Sequence, residues 1–142
     1  MAEVSGKPTK FQATAKATDL DRVWSLWTDV DSWLTWDLGL TKASIDGPMT
    51  IGARGTIVDQ NNRASRFEII KIDPGKSFVF AIRLPGGRMI LIREIDEDNI
   101  THRMMFTGIS KSIFGALLGR ANMELIGPSV DAVIERAARK NS

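Results

Sequence analysis

The chain has no cysteine, no tyrosine and a single histidine, His102. The lack of cysteine excludes disulfides, thiolate catalysis and cysteine-based metal sites together. The lack of tyrosine removes the phenolic proton donor, and one histidine without a cysteine or a matched acid does not make a hydrolytic triad. Long apolar runs are missing too: no stretch approaches the roughly 18 residues needed to cross a bilayer, and Met1 to Lys10 is polar, without the apolar centre of a signal peptide. Charge of one sign is scarce, with 19 Lys+Arg against 17 Asp+Glu and no basic block, which argues against nucleic acid as a partner. At 142 residues the chain has the length of one domain. The expectation is a soluble, cytoplasmic single domain over residues 1–142, with a flexible segment over 1–9, no cofactor and no metal.

What the chain has instead is punctuation. Asn61-Asn62, Pro74-Gly75, Pro85-Gly86-Gly87 and Asp96-Glu97-Asp98-Asn99 separate segments of alternating apolar and polar residues. Such residues suit tight reversals, because Gly and Asn tolerate positive φ and Pro presets φ. The alternation predicts strands at Phe11 to Ala17, Thr41 to Asp46, Arg54 to Gln60, Ala64 to Asp73, Ser77 to Leu84, Arg88 to Asp96 and Ile100 to Ile109. The gaps are too short for crossovers, so the sheet is antiparallel.

Between the first two strands, Leu20, Val23, Trp24 and Trp27 recur at helical spacing up to about Thr28, with Thr18 offering an N-cap hydroxyl and Asp19 and Asp21 in the first turn. A second short helix is expected after Val30, capped by Asp31 or Ser32 and carrying Trp33, Leu34 and Trp36. All four tryptophans therefore fall between Trp24 and Trp36. A long amphipathic helix is expected from about Ser112 to Lys140, with a kink or break at Gly127-Pro128 because proline removes a donor and clashes with the preceding turn.

With this order in place, three segments resemble the polyketide cyclase/dehydrase, START-like (SRPBCC, Bet v 1-like) superfamily. They are Val23 to Asp29 followed by Trp33 and Trp36, the glycine-spaced run Gly47 to Thr56, and the strand, Asp-Pro turn and strand of Phe67 to Phe78. The resemblance spans Phe11 to the end of the last helix. It implies an α+β helix-grip fold: a curved seven-stranded antiparallel sheet wrapped around a long C-terminal helix, with two short helices after the first strand. It implies architecture more than chemistry, since one fold hosts many functions.

Candidate functional residues follow from that frame. His102 lies on the more apolar side of its strand, with Ile100, Met104 and Phe106, and is either an inward pocket donor, acceptor or base, or a histidine bonded or solvated at the rim. Phe78, Phe80, Ile82 and Leu84 pointing inward would send Arg83 to solvent, while Met89-Ile90-Leu91-Ile92 does not declare a face, leaving either Arg93 or Glu94 inside. An inward arginine suits an anionic or carbonyl group of a ligand; the plainer role for Arg54, Arg83, Arg93 or Glu94 is a surface charge with its stem on apolar surface. Trp24 and Trp27 read as core, and Trp36 as lining a pocket mouth or plugging the sheet end. Gly115, Ala116 and Gly119, where the last helix crosses the sheet, either leave volume for a ligand or allow close helix–sheet packing, and Met89, Met104, Met105 and Met123 add adaptable apolar surface or fill gaps in an ordinary core. Apparent calcium and phosphate loops at Asp96 to Asn99 and Gly52 to Gly55 lack the required residues.

The function these readings favour is binding of a small hydrophobic molecule, lipid-, polyketide- or aromatic-like, between sheet and C-terminal helix. The expected walls are Trp36, Phe80, Ile92, His102, Met104, Phe106, Phe114 and Leu118. A cyclase or dehydratase using His102 with an inward Arg or Glu is the alternative the resemblance permits. A START-like module that binds a protein partner through an exposed apolar patch is a third. A homodimer is compatible with all three.

Overall fold

The structure, a computed structural model, describes residues 12–84, 86–108 and 119–139. Its elements are β1 (Gln12–Lys16), α1 (Leu20–Thr28), a 3-10 helix (Val30–Thr35), β2 (Leu40–Ile45), β3 (Arg54–Asp59), β4 (Ala64–Asp73), β5 (Ser77–Leu84), β6 (Gly87–Asp96), β7 (Asn99–Gly108) and α2 (Gly119–Ala138). The seven strands form one sheet in the order β1-β7-β6-β5-β4-β3-β2. Every neighbouring pair is antiparallel. The curved meander with a C-terminal helix is the helix-grip arrangement.

The turns hold because the residues at them accept a left-handed backbone. Asn62, Gly75, Gly86 and Glu97 have φ of 62°, 74°, 82° and 57°. Glu97 does so without glycine's freedom, at a local cost of about 1–2 kcal/mol, between two of the longest strands, β6 and β7.

The sheet's inner face is built in cross-strand rows. Phe67 pairs with Ile82, Ile82 with Met89, and Met89 with Phe106; in the next row Ile69 pairs with Phe80, Phe80 with Leu91 and Leu91 with Met104. A register shift between Ile69 and Lys71 moves the inward positions of β4 from 67 and 69 to Ile72, which packs with the same core. Full burial of an aliphatic or Phe side chain contributes roughly 1.5–3 kcal/mol, so these rows supply much of the driving force. The outer face has its own small cluster, Val79, Ala81 and Ile90 with Ile70 and Ile92.

Three expectations about the helices are corrected. The N-cap of α1 is Asp19, whose Oδ1 accepts from Arg22 N at 3.1 Å, rather than Thr18. The second short helix is 3-10 and begins at Val30, with Asp29 before it and neither Asp31 nor Ser32 as cap. Of the kink or break expected at Gly127-Pro128, the break is not found, since α2 runs through it from Gly119 to Ala138. Beyond the proline, Val130, Val133 and Ala137 are buried in the main core with Ala17, Val23 and Trp27. That burial offsets the roughly 3 kcal/mol cost of an interior proline. This half of α2 packs on β1, α1 and β7.

Candidate functional site

The site begins with the end of α1. A helix leaves its last carbonyls without intrahelical donors, and here the 3-10 helix supplies them. Trp33 Nε1 donates to Trp27 O at 2.9 Å, Trp36 Nε1 to Leu26 O at 3.4 Å, and Ser32 Oγ to Leu26 O at 2.8 Å. These bonds turn both indoles onto the inner face of the sheet. Trp33 stacks on Phe80 with ring centres 5.0 Å apart, and Trp36 reaches His102 at 5.5 Å.

One cross-strand row differs from its neighbours. Phe78 on β5 lies opposite Arg93 on β6, Arg93 opposite His102 on β7, and His102 opposite Ala13 on β1. Directly paired residues have Cβ atoms about 4.5–5.5 Å apart on one face, so a cation and an imidazole sit side by side on an apolar surface. The small Ala13 leaves space over the histidine that Trp27 fills, its indole N–H donating to His102 Nε2 at 2.9 Å. An indole can only donate, so Nε2 is the acceptor and the imidazole proton is on Nδ1. Burial, reinforced by the Arg93 charge, pushes the pKa of His102 well below the usual value, so the ring is neutral.

Arg93 is 7% exposed. Its guanidinium carbon lies 5.6 Å from the ring centre of Phe80 and 5.9 Å from that of Trp36, within the reach of cation–π attraction. Among the described residues it has no hydrogen-bond or ion-pair partner, and its Nε is buried without one. Burial lowers its pKa to about 10, with the Asp37 charge opposing, so it remains a cation at neutral pH. Asp37 follows the 3-10 helix and accepts from Gly39 N at 3.1 Å through Oδ1. It is half-buried as a residue, yet burial is the leading influence on its carboxyl and raises its pKa against the pull of Arg93.

The expected walls separate into groups. Trp36, Phe80 and His102 converge on Arg93. Met104 is buried one row away and Phe106 is half-buried two rows away, both on the inner face. Ile92 does not belong with them: it packs in the outer cluster, because alternation along β6 sends it opposite to Arg93. Phe114 and Leu118, with Gly115 and Ala116, lie outside the described residues. Met105 is 46% exposed, on the outer side of β7. His102 is hydrogen-bonded, as its plainer reading had it, but buried rather than at the rim. The surface role holds for Arg54, Arg83 and Glu94, the last bonded to Arg103 at 2.9 Å.

Sequence alone leaves Arg93 and Glu94 undecided and gives no mark to Asp37. A signal for Arg93 was present. Counting outward from the Leu84–Gly87 pair places residue 93 opposite Phe78, which the alternation of β5 had already turned inward. Nothing local marked Asp37, whose position depends on the 3-10 helix docking on the sheet.

No family model and no curated protein matches this sequence. Solved structures do match in shape. The di-domain ARO/CYC StfQ from the steffimycin biosynthetic pathway superposes with TM-score 0.69 at 10% identity, over 94% of this chain and 53% of that one. Norcoclaurine synthase from Thalictrum flavum, in complex with a transition state analogue, gives 0.61 at 12% over 92% and 94%. Protein NE0264 from Nitrosomonas europaea gives 0.65 at 10% over 92% and 96%. The chain thus shares the fold of these structures. No described helix is long and apolar enough to cross a membrane.

Proposed function

We propose that this protein binds a small, largely apolar molecule against the inner face of its sheet, on the side covered by the C-terminal helix. The observation that carries the reading is Arg93, a buried cation without a hydrogen-bonding partner among the described residues, set among Phe78, Phe80, Trp36 and a neutral His102. A charge in that setting loses much of its hydration and regains little from the protein. Apolar walls with a few convergent polar groups are the usual composition of a small-molecule site. The fold's likeness to StfQ and to norcoclaurine synthase is compatible with such a role. Titration with the neutral probe N-phenyl-1-naphthylamine tests it, together with a native mass spectrum of the purified protein for a retained small molecule. Saturable one-to-one fluorescence enhancement is expected; its absence at high micromolar probe, with no retained molecule, sinks the reading.

A second reading is a cyclase- or dehydratase-type enzyme in which Arg93 steadies a developing oxyanion. The observation that favours it is Asp37, whose raised pKa suits a proton donor near that charge. His102 fits a general base poorly, because its one lone pair is already engaged by Trp27. Loss of turnover on an aromatic polyketide substrate in Asp37→Asn, with binding retained, would support it.

A further inference from the structure

We infer that Arg93 and His102 together form a seat for a single anionic oxygen group, so that the molecule bound is an apolar body carrying one carboxylate or enolate-type head. The inference rests on the small-molecule reading above and gives that ligand its charge and orientation.

Arg93 and His102 are directly paired across β6 and β7, which places their side chains beside each other on one face. Each carries N–H donors. The guanidinium has five N–H donors and accepts nothing; no described residue accepts from them, and Nε is buried without a partner. The imidazole donates from Nδ1, because Trp27 occupies Nε2. No described residue is hydrogen-bonded to the guanidinium. Asp37, the acid whose charge acts on Arg93, forms no ion pair with it and spends Oδ1 on Gly39 N. Glu94 is turned to the outer face and held by Arg103. A buried guanidinium without an acceptor among the described residues, beside a neutral imidazole protonated on Nδ1, matches an oxyanion, since a guanidinium and a carboxylate pair through charge-assisted, often bidentate bonds. The flanking side chains Phe78, Phe80, Trp36 and Met104 are uncharged and buried, so the part of the ligand that lies against them is apolar.

The test compares two probes with one skeleton, 8-anilinonaphthalene-1-sulfonate and the neutral N-phenyl-1-naphthylamine, on the intact chain under conditions where circular dichroism shows it folded. The wild type is expected to bind the anion at least about tenfold more tightly than the neutral probe, and 2-naphthoate is expected to displace it where 2-naphthamide does not. In Arg93→Met the ratio of the two affinities is expected to fall to near one. Equal wild-type affinities, or a preference for the neutral probe, would overturn the seat and leave small-molecule binding standing. An anion preference that persists in a folded Arg93→Met variant would overturn it as well. If neither probe saturates, both the seat and the binding reading fall. Should the variant not fold, the wild-type ratio and the naphthoate competition still decide.

Discussion

The indole N–H of Trp27 donates to Nε2 of His102 at 2.9 Å, joining α1 to β7 through the buried core. The two residues are 75 positions apart. This bond sets the histidine tautomer, and with it the donor that His102 offers beside Arg93. Removing one partner leaves a buried polar atom unsatisfied at a cost of about 1–3 kcal/mol, whereas removing both restores part of it. Trp27→Phe and His102→Leu are therefore each expected to lower stability, and the double variant to lose less than the sum. Urea unfolding of the four proteins in a double-mutant cycle measures the coupling, and strict additivity would exclude the bond from the folded state.

Acid is expected to weaken the fold through His102. Its folded pKa lies well below 6.5, so between the two values the unfolded chain binds a proton that the native one does not. Stability is then full above about pH 6.5 and falls as pH drops through that window, by up to about 1.4 kcal/mol per unit. Asp37 acts in the opposite sense: its raised pKa makes the native state bind a proton first, stabilising it as pH falls towards 3.8. Urea midpoints from pH 8 to 5 should decline in the wild type and decline less in His102→Gln. Imidazole resonances that titrate at 6.5 would contradict the assignment.

Arg93 is expected to cost the empty protein stability. Replacing a buried charge by an apolar chain of similar volume is often neutral or stabilising by about 1–4 kcal/mol, so Arg93→Met should raise the melting temperature or leave it unchanged. An arginine that served the architecture alone would show a drop of several degrees.

Gly55 is required by packing. A Cβ there would lie 2.4 Å from Phe67 Cζ and 2.2 Å from Ser44 O, and the carbonyl belongs to the neighbouring strand. Gly55→Ala must displace β2 or the buried Phe67 ring, at a cost of about 1–3 kcal/mol. Chemical denaturation checks this, and a loss below about 0.5 kcal/mol would show that the strand yields freely.

The cap of α1 separates two adjacent residues. Asp19→Ala should lose about 1 kcal/mol, and Thr18→Ala, at an exposed position without the capping bond, under about 0.5 kcal/mol. The reverse order in thermal melts would restore Thr18 as the cap.

The sequence by itself determined the strands and their turns, because both signals are local. A period of two marks a half-buried strand, and Asn62, Gly75 and Gly86 sit where the backbone needs positive φ. Inward placement of Phe78 and Phe80 was legible for the same reason. Tertiary structure decided the site. Arg93 rather than Glu94 faces inward because the hairpin register pairs it with Phe78 and His102. His102 is buried because Trp27 reaches across to it from α1, and Trp36 joins them because its indole serves the carbonyl end of that helix. Each of these depends on partners far away in the chain, and a side chain's charge state and free donors are set by those partners rather than by its sequence neighbours.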